Sequence, residues 1–204
     1  YFYEDAELCV GGEKIQKIKE LHGEKFTFCY EDKPVFAPCS FTIHKGEKVV
    51  VCGQNGSGKS TILNVFLGIL QGYRGNLTID GTELSALDPA SYRDLVSYAP
   101  QDPYLFKGTI LDNIKLANPN SDESKVRQLL REYGIPNIAE REIKSGGYEL
   151  SGGERQKISI IRAKIKDTPV VFLDEPENNL DITAMKTVKE WICNSDKTII
   201  YVSH

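Results

Sequence analysis

The chain has 204 residues, of which 40% are hydrophobic and 26% charged, the make-up of an ordinary globular domain with length for one domain or a domain plus a lobe. Its net charge of −4 is spread in mixed sign along the sequence, so nothing draws the whole chain towards nucleic acid or anionic lipid. No apolar run reaches the length of a membrane span and the N-terminus does not read as a signal peptide, so any membrane part is expected outside this sequence.

The stretch from Tyr1 to about Lys25 is charged and weakly patterned and reads as a linker or as an edge strand around 15–21. "KFTFCY" (25–30) alternates and predicts a strand, with "EDKP" as the turn after it. Two strands follow around a Lys45-Gly46 turn, and the second, Lys48–Cys52, is a continuous apolar run of the kind expected of a buried strand. Residues 60–70 carry helical apolar spacing through Ile62, Leu63, Phe66, Leu67 and Leu70. Short strands are predicted at 75–81 and at 95–103, the latter stopped by two prolines. The segment 121–134 predicts a helix with Ser121 as its cap, acids in its first turn and Gly134 at its end. Then come a helix over 152–166, a strand over 169–174, a helix over 182–194 and a strand over 197–204. Buried strands alternating with helices predict an α/β fold with a mainly parallel core, and the hairpin-like start predicts an antiparallel flap beside it. Five cysteines (Cys9, Cys29, Cys39, Cys52, Cys193) show no C-x-x-C spacing. Cys29, Cys39 and Cys52 have apolar or aromatic neighbours, so reduced, buried thiols of a cytosolic compartment are expected, without disulfides or zinc.

"GQNGSGKST" (53–61) places Gly53, Gly58, Lys59 and Ser60 on the G-x-x-x-x-G-K-[ST] spacing, between a predicted strand and a predicted helix. Glycines let backbone N–H groups approach phosphate oxygens, the helix adds its positive end, Lys59 supplies a point charge for the β- and γ-phosphates, and Ser60 offers a hydroxyl to Mg²⁺. "VVFLDE" (170–175) ends a buried strand in two acids, where ligands bind in open α/β sheets. Asp174 is the candidate Mg²⁺ ligand and Glu175 the candidate acceptor of a proton from attacking water. Gln101 and His204 also end predicted strands, so Gln101 is a candidate for contact with Mg²⁺ or water, and His204 for the γ-phosphate. A second glycine-bearing turn, "YELSGGERQ" (148–156), opens a predicted helix anchored by Ile158, Ile161 and Ile165. Ser151 can cap this helix start, but a cap needs one serine and two glycines cost a helix stability, so capping alone does not account for the turn.

Taken together these motifs resemble the ATP-binding cassette, the nucleotide-binding domain of ABC proteins, in order from about Phe28 onward. "GQNGSGKST" resembles the Walker A loop, with Asn55, Gly56, Ser57 and Thr61 completing the ATP-binding set, and "APQDP" the loop around Gln101. "LSGGERQ" is similar to the family signature, "VVFLDEP" to Walker B, and "NNLD" to the D-loop ending in Asp181; His204 stands at the switch histidine and Tyr30 at the aromatic that stacks on adenine. The resemblance implies ATP and Mg²⁺ as cofactors, Gln101, Glu175 and His204 in catalysis, and Ser60, Gln101 and Asp174 around the metal. It also implies a head-to-tail dimer in which Ser151, Gly152, Gly153 and Glu154 contact ATP held by the partner's Walker A loop. "QDPYLFKGTILDNI" (101–114) resembles the exporter branch.

The expectation is therefore a P-loop NTPase core with an antiparallel flap and a helical signature subdomain at about 102–165. The ATPase domain would span 26–204, follow a linker and a membrane domain of the same polypeptide, and be truncated after His204. It would act as a homodimer at the cytoplasmic face of a bacterial cell membrane, without nucleic acid. The competing readings are a soluble ABC ATPase working on nucleic acid or an assembly complex, and a regulatory module that binds ATP without turnover. Two departures from the family stand in the sequence: "REIKSGG" (141–147) lacks the usual glutamate of that segment, and Asn178-Asn179 replace the usual Ser-Ala.

Overall fold

The computed structural model describes residues 11–144 and 146–203. The chain runs β1 (Glu20–Thr27), β2 (Cys29–Tyr30), β3 (Lys33–Pro34), β4 (Cys39–His44), β5 (Lys48–Cys52), α1 (Lys59–Phe66), β6 (Arg74–Ile79) and β7 (Thr82–Glu83). It continues through α2 (Pro89–Asp94), β8 (Val96–Ala99), β9 (Gly108–Thr109), α3 (Ile110–Lys115), α4 (Glu123–Glu132), β10 (Glu142–Ile143), α5 (Gly152–Lys166), β11 (Val170–Asp174), α6 (Ile182–Asn194) and β12 (Thr198–Ser203). One sheet has the order β5-β12-β11-β8 with every pairing parallel, and the other has the order β4-β1-β6-β7 with every pairing antiparallel. The expected parallel core and antiparallel flap are both present.

β11 shows why an apolar run becomes a central parallel strand. All five of its residues are buried, and alternate ones enter two different cores. Val171 and Leu173 pack with Ile158, Ile161 and Ile165 of α5 and with helices α3, α4 and α6. Val170 and Phe172 pack with α1 and the antiparallel sheet, where Phe66 lies 5.7 Å from Phe26 and 6.1 Å from Phe172, centroid to centroid. The parallel sheet is thus covered on both faces, and its strand ends face one side of the molecule.

Several expectations are corrected. Residues 15–19 carry no strand; the strand starts at Glu20, runs to Thr27, and is the inner strand β1, paired with β4 and β6 on either side. Lys48–Cys52 is a strand, but not a buried one: among the described strands it has β12 as its one neighbour, Val50 and Cys52 are exposed, and Val49 and Val51 are half-buried. The helix after the phosphate loop stops at Phe66, because Gly68 turns the chain with φ at +68°. Asp122, not Ser121, caps α4, since its carboxylate accepts from the Ser124 N–H at 3.0 Å. The described cysteines are unpaired, as expected, but Cys39, Cys52 and Cys193 are exposed and Cys29 half-buried. The short helices α2 and α3 and the β9–β10 pair fall in stretches where sequence periodicity predicts nothing. Among the described residues no helix is long and apolar enough to cross a membrane.

Candidate active site

β5 leads through residues 53–58 into α1, so the phosphate-loop motif has the strand and helix it requires. Gly56 and Gly58 take φ of +77° and +88°, a region that L side chains rarely adopt. A Cβ at Gly53 would lie 2.6 Å from Ser57 Oγ, and one at Gly58 2.5 Å from Val35 Cγ1. Gly58 occupies the cap position of α1 without a side-chain cap, so the helix presents backbone N–H groups at its start. Lys59 is buried and its Nζ donates to the carbonyls of Gly53 (2.9 Å) and Gln54 (3.2 Å), which lays the ammonium along the loop. Asn55 is exposed on the loop, while Ser57, Ser60 and Thr61 are half-buried beside it.

The two acids lie at the carboxyl end of β11, with the Ser60 hydroxyl beside Asp174. Asp174 is 2% exposed, and its Oδ1 is buried with no hydrogen-bond partner. Its Oδ2 accepts from the Tyr98 hydroxyl at 3.5 Å. Burial raises the pKa of this carboxyl above the ordinary value, the Ser60 hydroxyl pulls it down, and the neighbouring Glu175 pushes it up again. An orphaned buried carboxylate oxygen beside a serine hydroxyl is the donor set that a hard divalent cation needs, so the residues present fit Mg²⁺. Among the described residues no group of three His, Cys, Asp or Glu side chains converges, so phosphate oxygens and water would complete the shell. Glu175, also buried, takes φ of +48°, and its Oε2 accepts from Gln101 Nε2 at 2.6 Å. Sequence reasoning puts Gln101 and Glu175 in one pocket, and the structure joins them directly. His204 lies outside the described residues.

Tyr30 is 56% exposed on the β2–β3 hairpin, edge-on to Phe28 at 5.0 Å. Val35 and Phe36, which follow that hairpin, sit against Gly58, so the hairpin borders the phosphate loop.

The signature turn opens α5 with a full capping box: the Glu154 N–H donates to Ser151 Oγ (3.1 Å) and the Ser151 N–H to Glu154 Oε2 (2.8 Å). The two glycines also have a reason within the chain. A Cβ at Gly153 would lie 2.5 Å from the Asn179 carbonyl oxygen, and one at Gly152 3.4 Å from Asn179 Cγ. The side chains of Ser151 and Glu154 are engaged inside the turn, Glu154 also meeting Arg141 at 3.4 Å. Backbone N–H groups are therefore what this turn has to offer an anion. Among the described residues no hydrogen bond or ion pair joins 151–154 to 53–61. Asp181 caps α6 by accepting from the Ala184 N–H at 2.9 Å, and it pairs with the buried ammonium of Lys157 on α5. That ammonium, with the cap bond, holds the Asp181 carboxyl below its usual range.

Three features escaped the sequence reading. Tyr98 reaches Asp174 across 76 residues, Asn178 Nδ2 donates to Glu175 Oε2, and Lys157 pairs with Asp181. No spacing rule marks such pairs. A groove of about 400 Å³ also lies between the parallel sheet and α5, with Ile69, Phe106 and Leu116 exposed on it and Arg93, Arg162 and Lys166 along it.

A phosphate loop entering a helix, an acid pair at a parallel-strand end and a glycine-bearing helix start define a P-loop nucleotide-binding fold of the cassette type. Comparison with known proteins agrees: residues 36–178 match the family model described as ABC transporter. The chain belongs to the ABC transporter family, as the part that carries the ATP-binding motifs. It is 40% identical over 162 residues to a mycobactin import ATP-binding/permease protein, IrtB, of Mycolicibacterium smegmatis, covering 76% of this chain and 28% of that protein. It is 32% identical over 197 residues to the mitochondrial iron-sulfur clusters transporter ATM1 of Kluyveromyces lactis, covering 91% of this chain and 27% of that one. The solved structure of a bacterial Atm1-family ABC exporter with ATP bound superposes with a TM-score of 0.84 at 25% identity, over 96% of this chain and 36% of that chain. The chain thus spans little more than a quarter of the length of these two curated relatives.

Proposed function

We propose that this chain binds and hydrolyses Mg-ATP as the motor domain of an ABC transporter of exporter type. The observation that supports the reading most strongly is the cluster Ser60–Asp174–Glu175–Gln101, assembled at the strand ends next to Lys59. In this reading the N–H groups of 53–61 and the Lys59 ammonium hold the β- and γ-phosphates, and Tyr30 stacks on the adenine. Ser60, Asp174 and Gln101 hold Mg²⁺, which when bound neutralises charge on the transferring phosphoryl group. Glu175 takes the proton of the attacking water, with His204 at the γ-phosphate.

The signature turn of each chain faces ATP on the other, in a homodimer closed head to tail. Closing adds N–H contacts from Gly152 and Gly153, beside Ser151, to a phosphate that ADP lacks, so ATP and not ADP favours the closed state. Asp181, between α5 and α6, carries signals between the two sites. Residues 1–25 link to a membrane domain, 26–204 form the ATPase domain with its helical part at about 102–165, and the assembly works at the cytoplasmic face of a bacterial cell membrane. The groove beside Phe106, with exposed Tyr104 and Leu116 nearby, offers the membrane domain an apolar seat in the segment that resembles exporters. Relatives named for import and for export both match, so the direction of transport rests on that segment.

Glu175→Gln tests the reading. ATP binding should persist within about twofold while hydrolysis falls at least about a hundredfold, the scale of general-base catalysis. Wild-type phosphate release in Glu175→Gln would remove Glu175 as the base, and a wild type that binds ATP but releases no phosphate would instead support a regulatory module without turnover.

A further inference from the structure

Asn178 stands where the sequence departs from its family, and nothing in the reading above uses it. Its Nδ2 donates to Glu175 Oε2 at 2.5 Å, the same oxygen that accepts from Gln101 at 2.6 Å. Its backbone N–H donates to the Glu175 carbonyl at 3.0 Å, closing a turn that begins at a residue with φ of +48°. Glu175 is 6% exposed, so these contacts form in a place where water competes little. The two amides come from different segments of the chain. Gln101 belongs to the loop after β8. Asn178 belongs to the segment whose next residue, Asn179, sits with φ of +60° against Gly152 and Gly153.

We propose that Asn178 is a positioning residue for hydrolysis, which orients the Glu175 carboxylate by clamping Oε2 against the pull of Gln101. The inference rests on Glu175 being the general base. A carboxylate held by one amide can still swing about that bond. A second donor on the same oxygen restricts that rotation and ties the carboxylate to its own turn as well as to the loop that carries Gln101. Only a side chain with an N–H at the end of one methylene does this here. An aspartate keeps the shape and the turn but has no donor and sets like charge against Glu175.

The test uses the full-length transporter that contains this chain. Asn178→Ala should lower kcat about tenfold or more, with KM for ATP and equilibrium ATP binding within about twofold, since misplacing a base by about an ångström costs one to two orders of magnitude. Asn178→Asp should lower kcat at least as much as the alanine, although it is isosteric, because it replaces the donor by a like charge. In the Glu175→Gln background, Asn178→Ala should cost nothing further, because residues that act through one group are not additive. Wild-type kcat in Asn178→Asp, or a loss carried by KM or by ATP binding, overturns the inference. Wild-type turnover in Glu175→Gln alone overturns the reading on which it rests.

Discussion

Asp174 has to carry charge in a place that resists charge. Its Oδ1 is buried without a hydrogen-bond partner, and burial lifts its pKa above the ordinary carboxylate value of 3.8. A carboxyl whose pKa is raised by folding holds its proton more tightly in the folded chain. The ionised form therefore costs stability, fully above the folded pKa and not at all below the unfolded one. Asp174→Asn should raise the melting temperature of the nucleotide-free chain at neutral pH by ~2–4 °C, the equivalent of about 1 kcal/mol at this size. Thermal melts should show that gain shrinking as the pH falls towards 3.8. The same substitution should abolish Mg²⁺-dependent hydrolysis. A variant that is less stable at neutral pH would show that Oδ1 is satisfied by something within the fold. At this scale the gathering of Lys59, Ser60, Gln101, Asp174 and Glu175 at one place was legible, because each sits at the end of a strand or in a motif of recognisable spacing. Tyr98 and Asn178 were not legible as partners. One meets Asp174 across 76 residues, and the other looks like an ordinary turn asparagine until the carboxylate beside it is seen.

The elements that position the site were the easiest to read. β11, α5 and α6 have long, clean patterns, and the predicted limits of α5 and α6 coincide with those observed. α2 and α3 have six residues each, too few for periodicity, and only their caps, Asp88 and Thr109, announce them. The place of β1 inside its sheet and the exposure of β5 depend on which strands lie alongside, and an apolar run does not encode its neighbours. Between α5 and α6, Asp181 serves two elements at once, as the cap of one and the counter-charge of Lys157 on the other. Asp181→Ala should lower stability by about 1 kcal/mol for the cap alone, and further because the buried Lys157 ammonium loses its partner. Adding Lys157→Met should restore the second part. Folding depresses the Asp181 pKa, so its contribution is present above 3.8 and lost as the pH falls through the lower folded value. Denaturant titrations of the wild type and Asp181→Ala should therefore converge in acid. A difference that persists there would assign the effect to packing.

Across the whole molecule, the groove and the signature turn are joined by a buried hydrogen-bonded post. Arg162 on α5 donates through Nε and one terminal nitrogen to the Asn113 carbonyl and side-chain oxygen, at 2.8 and 2.6 Å, and through the other nitrogen to the Tyr104 carbonyl at 2.8 Å. Asn113, 1% exposed, in turn grips both backbone groups of Phe106 at 2.8 Å. Burial pushes the Arg162 guanidinium down to about 10, yet it stays charged at neutral pH and its donors are met by oxygens. The segment that borders the groove and the helix that opens at Ser151 thus form one body, with the signature turn at its far end. That turn has no hydrogen bond to the phosphate loop of its own chain among the described residues, and the proposed dimer sets it against ATP held by a second chain. The central claim is this division of one site between two chains, and sedimentation of the Glu175→Gln protein with ATP tests it most directly. Glu175→Gln alone should pass from monomer to dimer with ATP and remain monomeric with ADP, and adding Gly152→Asp should leave a monomer that still binds ATP. Loss of monomer ATP binding in Gly152→Asp, to the degree seen when Lys59 is removed, would contradict it.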